Sequence, residues 1–123
     1  MSSSSQAYAR VSKVTASPRE IEAQVLLKAA SKFQAIVDND NCSKSDFSET
    51  LLYNRKIWTI LLTGVTNPTN PLPAEIRQNV ANIGIFVMKR TRELEFQLKP
   101  EREKLKALID INRNLAAGLS GQA

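Results

Sequence analysis

The stretch SPREIEAQVLLKAASKFQAIV, residues 17–37, decides the class of fold. Its opening Ser17-Pro18-Arg19-Glu20 is a helix start. The serine hydroxyl accepts from a free backbone N–H of the first turn, the proline needs no donor at the first helical position, and the glutamate reaches back to the cap. Ile21, Val25, Ala29, Phe33 and Ile36 then recur every three or four residues, joined by Leu26, Ala30 and Val37, which makes one helix face apolar. Asp38-Asn39-Asp40-Asn41 ends the pattern. A helix is expected over about 18–37.

Outward from this helix the same period repeats. Asp46 with Glu49 three residues on, or Ser45 in competition, starts a second helix in which Phe47, Leu51, Asn54, Trp58, Leu61, Leu62 and Val65 share a stripe that stops near Gly64. Thr66-Asn67-Pro68-Thr69-Asn70-Pro71-Leu72-Pro73 must be an ordered loop, because its prolines remove donors and bias their neighbours away from helix. Pro73 is placed to open a third helix, with Glu75 near the positive end of its dipole. Ile76, Val80, Ile83, Val87, Thr91, Leu94 and Leu98 form its main stripe. Ile85, Phe86 and Met88 add apolar surface off that stripe, so this helix is expected to be the central one. Pro100 is expected to break the chain and start a fourth helix, although a kinked continuation is the alternative. Leu105, Leu108, Ile109, Asn112, Leu115 and Leu119 follow, with Gly118 and Gly121 as stop signals. No segment alternates apolar and polar residues as a half-buried strand does. The expectation is all-α: a compact bundle of four helices at about 18–37, 46–64, 73–98 and 101–117. Residues 1–16, small and Ser-rich, read as a flexible arm, and 17–123 as a single helical domain.

Composition narrows the function. The 123 residues hold no histidine and one cysteine, Cys42, so the usual general base, the commonest metal ligand and any intrachain disulfide are missing. Cys42 has no histidine to activate it and no second cysteine to resolve it, and reads as a loop thiol. Glu93 with Glu95, and Glu101 with Glu103, are two apart on helices and point about 160° away from each other, so neither pair brackets a substrate. Nucleotide and metal motifs are absent, and neither an enzyme nor a cofactor is expected. The start has no charged-then-apolar leader, and the longest nearly apolar stretch, Ile57 to Val65, falls far short of the roughly 20 residues that span a bilayer. A cytoplasmic location without membrane contact is expected.

The formal charge of +5 raises the question of an anionic partner. Lys89, Arg90, Arg92, Lys99, Arg102, Lys104 and Lys106 crowd the last third, but Glu93, Glu95, Glu101 and Glu103 interrupt them, as in a solvated face with ion pairs at helical spacing. Two asparagines lie on apolar stripes: Asn54 in Leu52-Tyr53-Asn54-Arg55-Lys56-Ile57-Trp58, and Asn112 in Leu108-Ile109-Asp110-Ile111-Asn112-Arg113. Each either ties its helix to the backbone of a neighbouring loop, such as the proline-rich turn, or faces a partner. Trp58, the single tryptophan, reads first as a core anchor against helices one and three.

Ala7-Tyr8, Ser17-Pro18-Arg19-Glu20 with Glu22-Ala23, Asn54-Arg55-Lys56-Ile57-Trp58, Asn70-Pro71-Leu72-Pro73, Arg77, Phe86-Val87 and Leu108-Ile109-Asp110-Ile111-Asn112-Arg113 before Gly118-Leu119 together resemble the FlaF family in order and spacing. The resemblance covers nearly the whole chain, and Pro100 departs from it, where the family more usually has a continuous helical run. It implies a cytoplasmic factor of flagellated α-proteobacteria that binds unassembled flagellin as a chaperone, promotes flagellin production and export, and opposes the repressor FlbT. Flagellin ends are amphipathic helices, and an apolar groove is the surface that receives such a helix. Ile85, Phe86 and Met88, with Asn54, Arg55, Trp58, Asn112 and Arg113, are the candidate partner contacts. The competing reading is an RNA-binding regulator of flagellin synthesis. It rests on the basic third and lacks the interleaved aromatics of single-strand binders.

Overall fold

A computed structural model describes residues 18–39, 41–97 and 99–121. The Ser17 cap, the arm over 1–16 and the place of Leu98 on a helical stripe lie outside these residues. Four helices follow one another, α1 (Pro18–Asp38), α2 (Lys44–Thr66), α3 (Ala74–Glu95) and α4 (Arg102–Leu119), and the described residues contain no strand. The fold is the expected all-α bundle, with small shifts at the helix ends.

Those shifts have local causes. Ser43, not Ser45 or Asp46, caps α2: its hydroxyl accepts from the Asp46 N–H at 2.9 Å, and Asp46 sits in the first turn where the dipole favours a carboxylate. Pro73 caps α3 from outside instead of occupying its first turn. The break before Pro100 is real and begins early, since α3 ends at Glu95 and α4 starts two residues past the proline. Gly121 supplies the left-handed turn after α4, at φ 77°, while Gly118 stays within the helix.

The packing is two pairs. α1 lies along α4 and α2 along α3; α2 also meets α1, whereas α3 barely touches α4. Ala23, Ala29 and Ala30 are buried on α1 and let α4 approach closely, its Leu105, Leu108, Ile109 and Ala116 filling the seam around Leu26 and Phe33. The central helix is therefore α2, not α3. α3 buries Val80, Gly84, Val87, Thr91 and Leu94, at the 4-3-4-3 spacing of a single packing seam, with Ala81 and Met88 partly buried beside them. Its remaining apolar residues are spread round the helix: Ile76, Ile83, Ile85 and Phe86 stay exposed, although Ile76 and Ile83 belong to the stripe expected to be core. Gly84 marks the closest approach, since a Cβ there would stand 2.5 Å from Leu62 Cδ2.

Candidate functional site

The polar residues of the apolar stripes meet at the centre of the bundle. Asn112 of α4 accepts from Trp58 Nε1 of α2 at 3.0 Å through its Oδ1. Its Nδ2 donates to Asn54 Oδ1 of α2 at 2.7 Å and to the Leu26 carbonyl of α1 at 3.4 Å. Asn54, Trp58 and Asn112 are all 0% exposed. Side chains without accessible surface touch no partner in this conformation, which corrects their place among the candidate contacts. The expectation of a tie to the proline-rich turn is also corrected, because the amides link three helices to one another. One donor stays unused: Asn54 Nδ2 is buried without a hydrogen-bond partner.

Ile85, Phe86 and Met88 do not share a groove. At about 100° per residue, Phe86 and Met88 lie some 160° apart on opposite flanks of α3, and Ile85 lies between them facing outward. Ile85 and Phe86 are exposed, with the Arg90 guanidinium 4.9 Å from the Phe86 ring centre, whereas Met88 is half-buried against the core. Arg55 is exposed and pairs with Glu95 at 3.0 Å, bracing α2 against α3, and Arg113 lies on the outer side of α4.

A concave apolar surface lies elsewhere, at the end of the bundle where α1 begins and α2 and α4 finish. A groove of about 640 Å³ is lined by Leu61 and Val65 of α2, Val80 of α3, Leu115 and Leu119 of α4, and Pro71 and Leu72 of the proline-rich loop. Ile60, 70% exposed, stands on its rim. Asn70 builds the loop wall: its Nδ2 donates to the Gly64 carbonyl at 3.0 Å and its Oδ1 accepts from the Leu72 N–H at 2.9 Å. The sequence motif Asn70-Pro71-Leu72-Pro73 is thus a strap across the end of α2. Asn67 pins the turn before it, accepting from the Thr69 N–H at 3.0 Å. Arg19 and Glu22 of α1 close the groove on its polar side. Partial burial raises the Glu22 carboxyl above its ordinary 4.5, and nearby Arg19 opposes the rise.

Sequence reasoning missed this groove. Ile60 precedes Leu61 and so points about 100° off the buried stripe, and Leu72 is an apolar side chain held among three prolines. Both were visible signals of apolar surface left outside the core. Two cations of the basic third are paired with its acids: Lys104 contacts Glu93 at 3.2 Å and Glu101 at 3.7 Å, and Arg90 lies 3.7 Å from Glu93. Among the described residues no group of three His, Cys, Asp or Glu side chains is close enough to hold a metal, and no helix is long and apolar enough to cross a membrane.

No curated protein and no solved structure matches the chain. The sequence model of the family described as flagellar protein FlaF matches residues 4–119, from within the Ser-rich start to the last residue of α4. That span takes in all four helices, the asparagine–tryptophan triad and the strap over the groove, and the chain belongs to the FlaF family of flagellar proteins.

Proposed function

We propose that this FlaF protein is a non-enzymatic chaperone of the cytoplasm that binds unassembled flagellin and so promotes its production and export in flagellum biogenesis, in opposition to FlbT. The observation that carries the reading is the apolar groove at the bundle end. An amphipathic helix waiting for export must have its apolar stripe covered, and a groove walled by Leu61, Val65, Leu72, Leu115 and Leu119 offers an apolar lining for such a stripe. Exposed Ile60 and Ile76, both at that end of the bundle, extend the apolar surface beyond the groove itself. Apolar surface of this kind marks partner sites more often than it is left to water.

The test is a titration of the full chain against monomeric flagellin at low and high salt, with two exposed-site variants. Ile60→Glu places a charge on the groove rim without touching the core and should abolish binding with the fold intact. Phe86→Ser, on the far flank of α3, should leave it unchanged. Loss with Phe86→Ser alone would move the contact to α3, as the sequence reading had it. Binding of the flagellin transcript in place of the protein, weakening steeply with salt through counterion release, would establish the RNA-binding alternative instead.

A further inference from the structure

Three lysines without an acid meet on the flank where α1 packs against α2. Lys28 and Lys32 of α1 hold their Nζ atoms 5.9 and 5.3 Å from the centre of the Tyr53 ring of α2. Lys56, three residues past Tyr53 on the outer side of α2, is exposed, as are Lys28 and Lys32. Among the described residues none of the three has a carboxylate within ion-pairing distance. Lys28 and Lys32 repel each other across one helical turn. The Tyr53 ring attracts both ammonium groups but brings no net charge to neutralise them.

The contact over Tyr53 also fixes which sides of the two helices share this flank. Ile21 is seven residues before Lys28, and Ile60 is seven residues after Tyr53. Seven residues are two turns to within about 20°, and the helices run antiparallel, so both isoleucines lie about 10.5 Å from the cluster toward the groove end. Ile21 is 43% exposed and Ile60 70%. The flank is thus apolar at one end and cationic two turns along, and Glu49, four residues before Tyr53, marks where the cationic stretch stops. We propose that this flank docks an acidic amphipathic helix of a partner protein, with its apolar stripe over Ile21 and Ile60 and its carboxylates, two turns along, over Lys28, Lys32 and Lys56. The charge of the cluster asks for an anion, and the isoleucines ask for apolar side chains at a fixed distance from it. A helix carrying both on one face supplies them at the required spacing. A single-stranded nucleic acid matches less of the surface. Its phosphates suit the lysines, but the Tyr53 ring on which a base would stack is covered by the two ammonium groups.

The inference rests on the flagellin reading only through Ile60, which also stands on the groove rim, so the probe contains no flagellin sequence. A dye-labelled synthetic helix, with leucines on one stripe and glutamates two turns along the same face, is titrated against the full chain by fluorescence anisotropy. Replacing its glutamates with glutamines should weaken binding about tenfold, as expected of a few partly exposed ion pairs. Lys28→Glu, Lys32→Glu and Lys56→Glu together should weaken the glutamate helix at least as much, and a helix with lysines in place of the glutamates should recover binding to that variant. Should the charge-reversed chain fail to fold, Lys28→Gln, Lys32→Gln and Lys56→Gln give the same reading of the loss. Ile21→Glu, outside the groove lining, should weaken the helix as well. Equal affinity of the native chain for the glutamate and glutamine helices overturns the proposal, and so does unchanged binding in the lysine variants. Tighter binding of oligouridine than of the glutamate helix, lost in the lysine variants, also overturns it, since the flank would then hold nucleic acid. A native chain that binds the glutamate helix as expected but not flagellin upholds the flank and removes the flagellin reading. One that binds flagellin and not the helix overturns the flank and leaves the groove standing.

Discussion

Replacing Asn112 with alanine should be the most costly conservative truncation of a polar residue in this fold. The substitution leaves two buried groups without partners. Trp58 Nε1–H loses its acceptor and Asn54 Oδ1 loses its donor, both at 0% exposure. Each stranded group costs about 1–3 kcal/mol, and the missing amide leaves a small cavity, so the total is roughly 3–6 kcal/mol. That is much of the stability of a domain this size, about 5–15 kcal/mol. Asn54→Leu should be far cheaper. Asn54 already carries an unpaired buried Nδ2, which the substitution removes, and Asn112 keeps its bonds to Trp58 and the Leu26 carbonyl. Urea unfolding followed by Trp58 fluorescence measures both. The reasoning fails if Asn112→Ala costs no more than Asn54→Leu. It also fails if a double-mutant cycle of Trp58→Phe with Asn112→Ala shows no coupling, where about 1–3 kcal/mol is expected of residues sharing a buried hydrogen bond.

Trp58→Ala should cost about 3–5 kcal/mol and melt the protein near ambient temperature, since it empties the largest fully buried side chain; an unchanged melting temperature by circular dichroism would refute its core role. Gly84→Ala gains helix propensity but drives a methyl into Leu62, so a net loss of about 1–3 kcal/mol is expected in chemical unfolding, largely recovered by adding Leu62→Ala. Glu22 titrates with a raised folded pKa, so its ionisation costs stability as pH climbs above 4.5, and below that pH the penalty is absent. Glu22→Gln should therefore raise the melting temperature at neutral pH and make no difference at pH well below 4.5; a difference that grows on acidification would reverse the assignment.

The helices were legible because each has a start signal and a stripe of its own, and the stripe of α1 is the clearest. What periodicity could not convey is which helix lies at the centre. α3 is the helix with apolar residues on most sides, and abundance of apolar residues does not by itself fix burial. Burial instead follows the seam Val80, Gly84, Val87, Thr91 and Leu94, which holds a glycine and a threonine and looks weak in sequence. Thr91 is tolerated there because its hydroxyl donates to the Val87 carbonyl at 2.7 Å within the helix. Asn54 and Asn112 stood out as polar residues on apolar faces, but a single sequence does not say that two such residues, 58 apart, bond to each other. The groove was hidden for the same reason. Its walls come from all four helices and one loop, and only the folded end brings them together.

The triad and the groove are linked through helical spacing, and this yields the last prediction. Counting from Asn112, Leu115 and Leu119 are three and seven residues on, and counting from Trp58, Leu61 and Val65 are three and seven residues on. Counting back from Leu26, Glu22 and Arg19 are four and seven residues away. The triad therefore sits one turn below the groove on three helices at once. The apolar stripes of α1 and α4 alone would tolerate a slip of one turn, about 5.4 Å, at modest cost. With Asn112 present, a slip strands Trp58 and Asn54 as well, which is the penalty worked out above. Buried polar groups act in this way as register pins in other helical assemblies. A variant with Asn54→Leu, Trp58→Phe and Asn112→Leu together should keep the helical content and lose little stability, because apolar replacement of a whole network is often near neutral. It should lose the unique register, so that Leu115 and Leu119 methyls give several signals where the native protein gives one each. A single sharp set at native positions in that variant would show that packing alone holds α4 in place and that the triad does not set the groove.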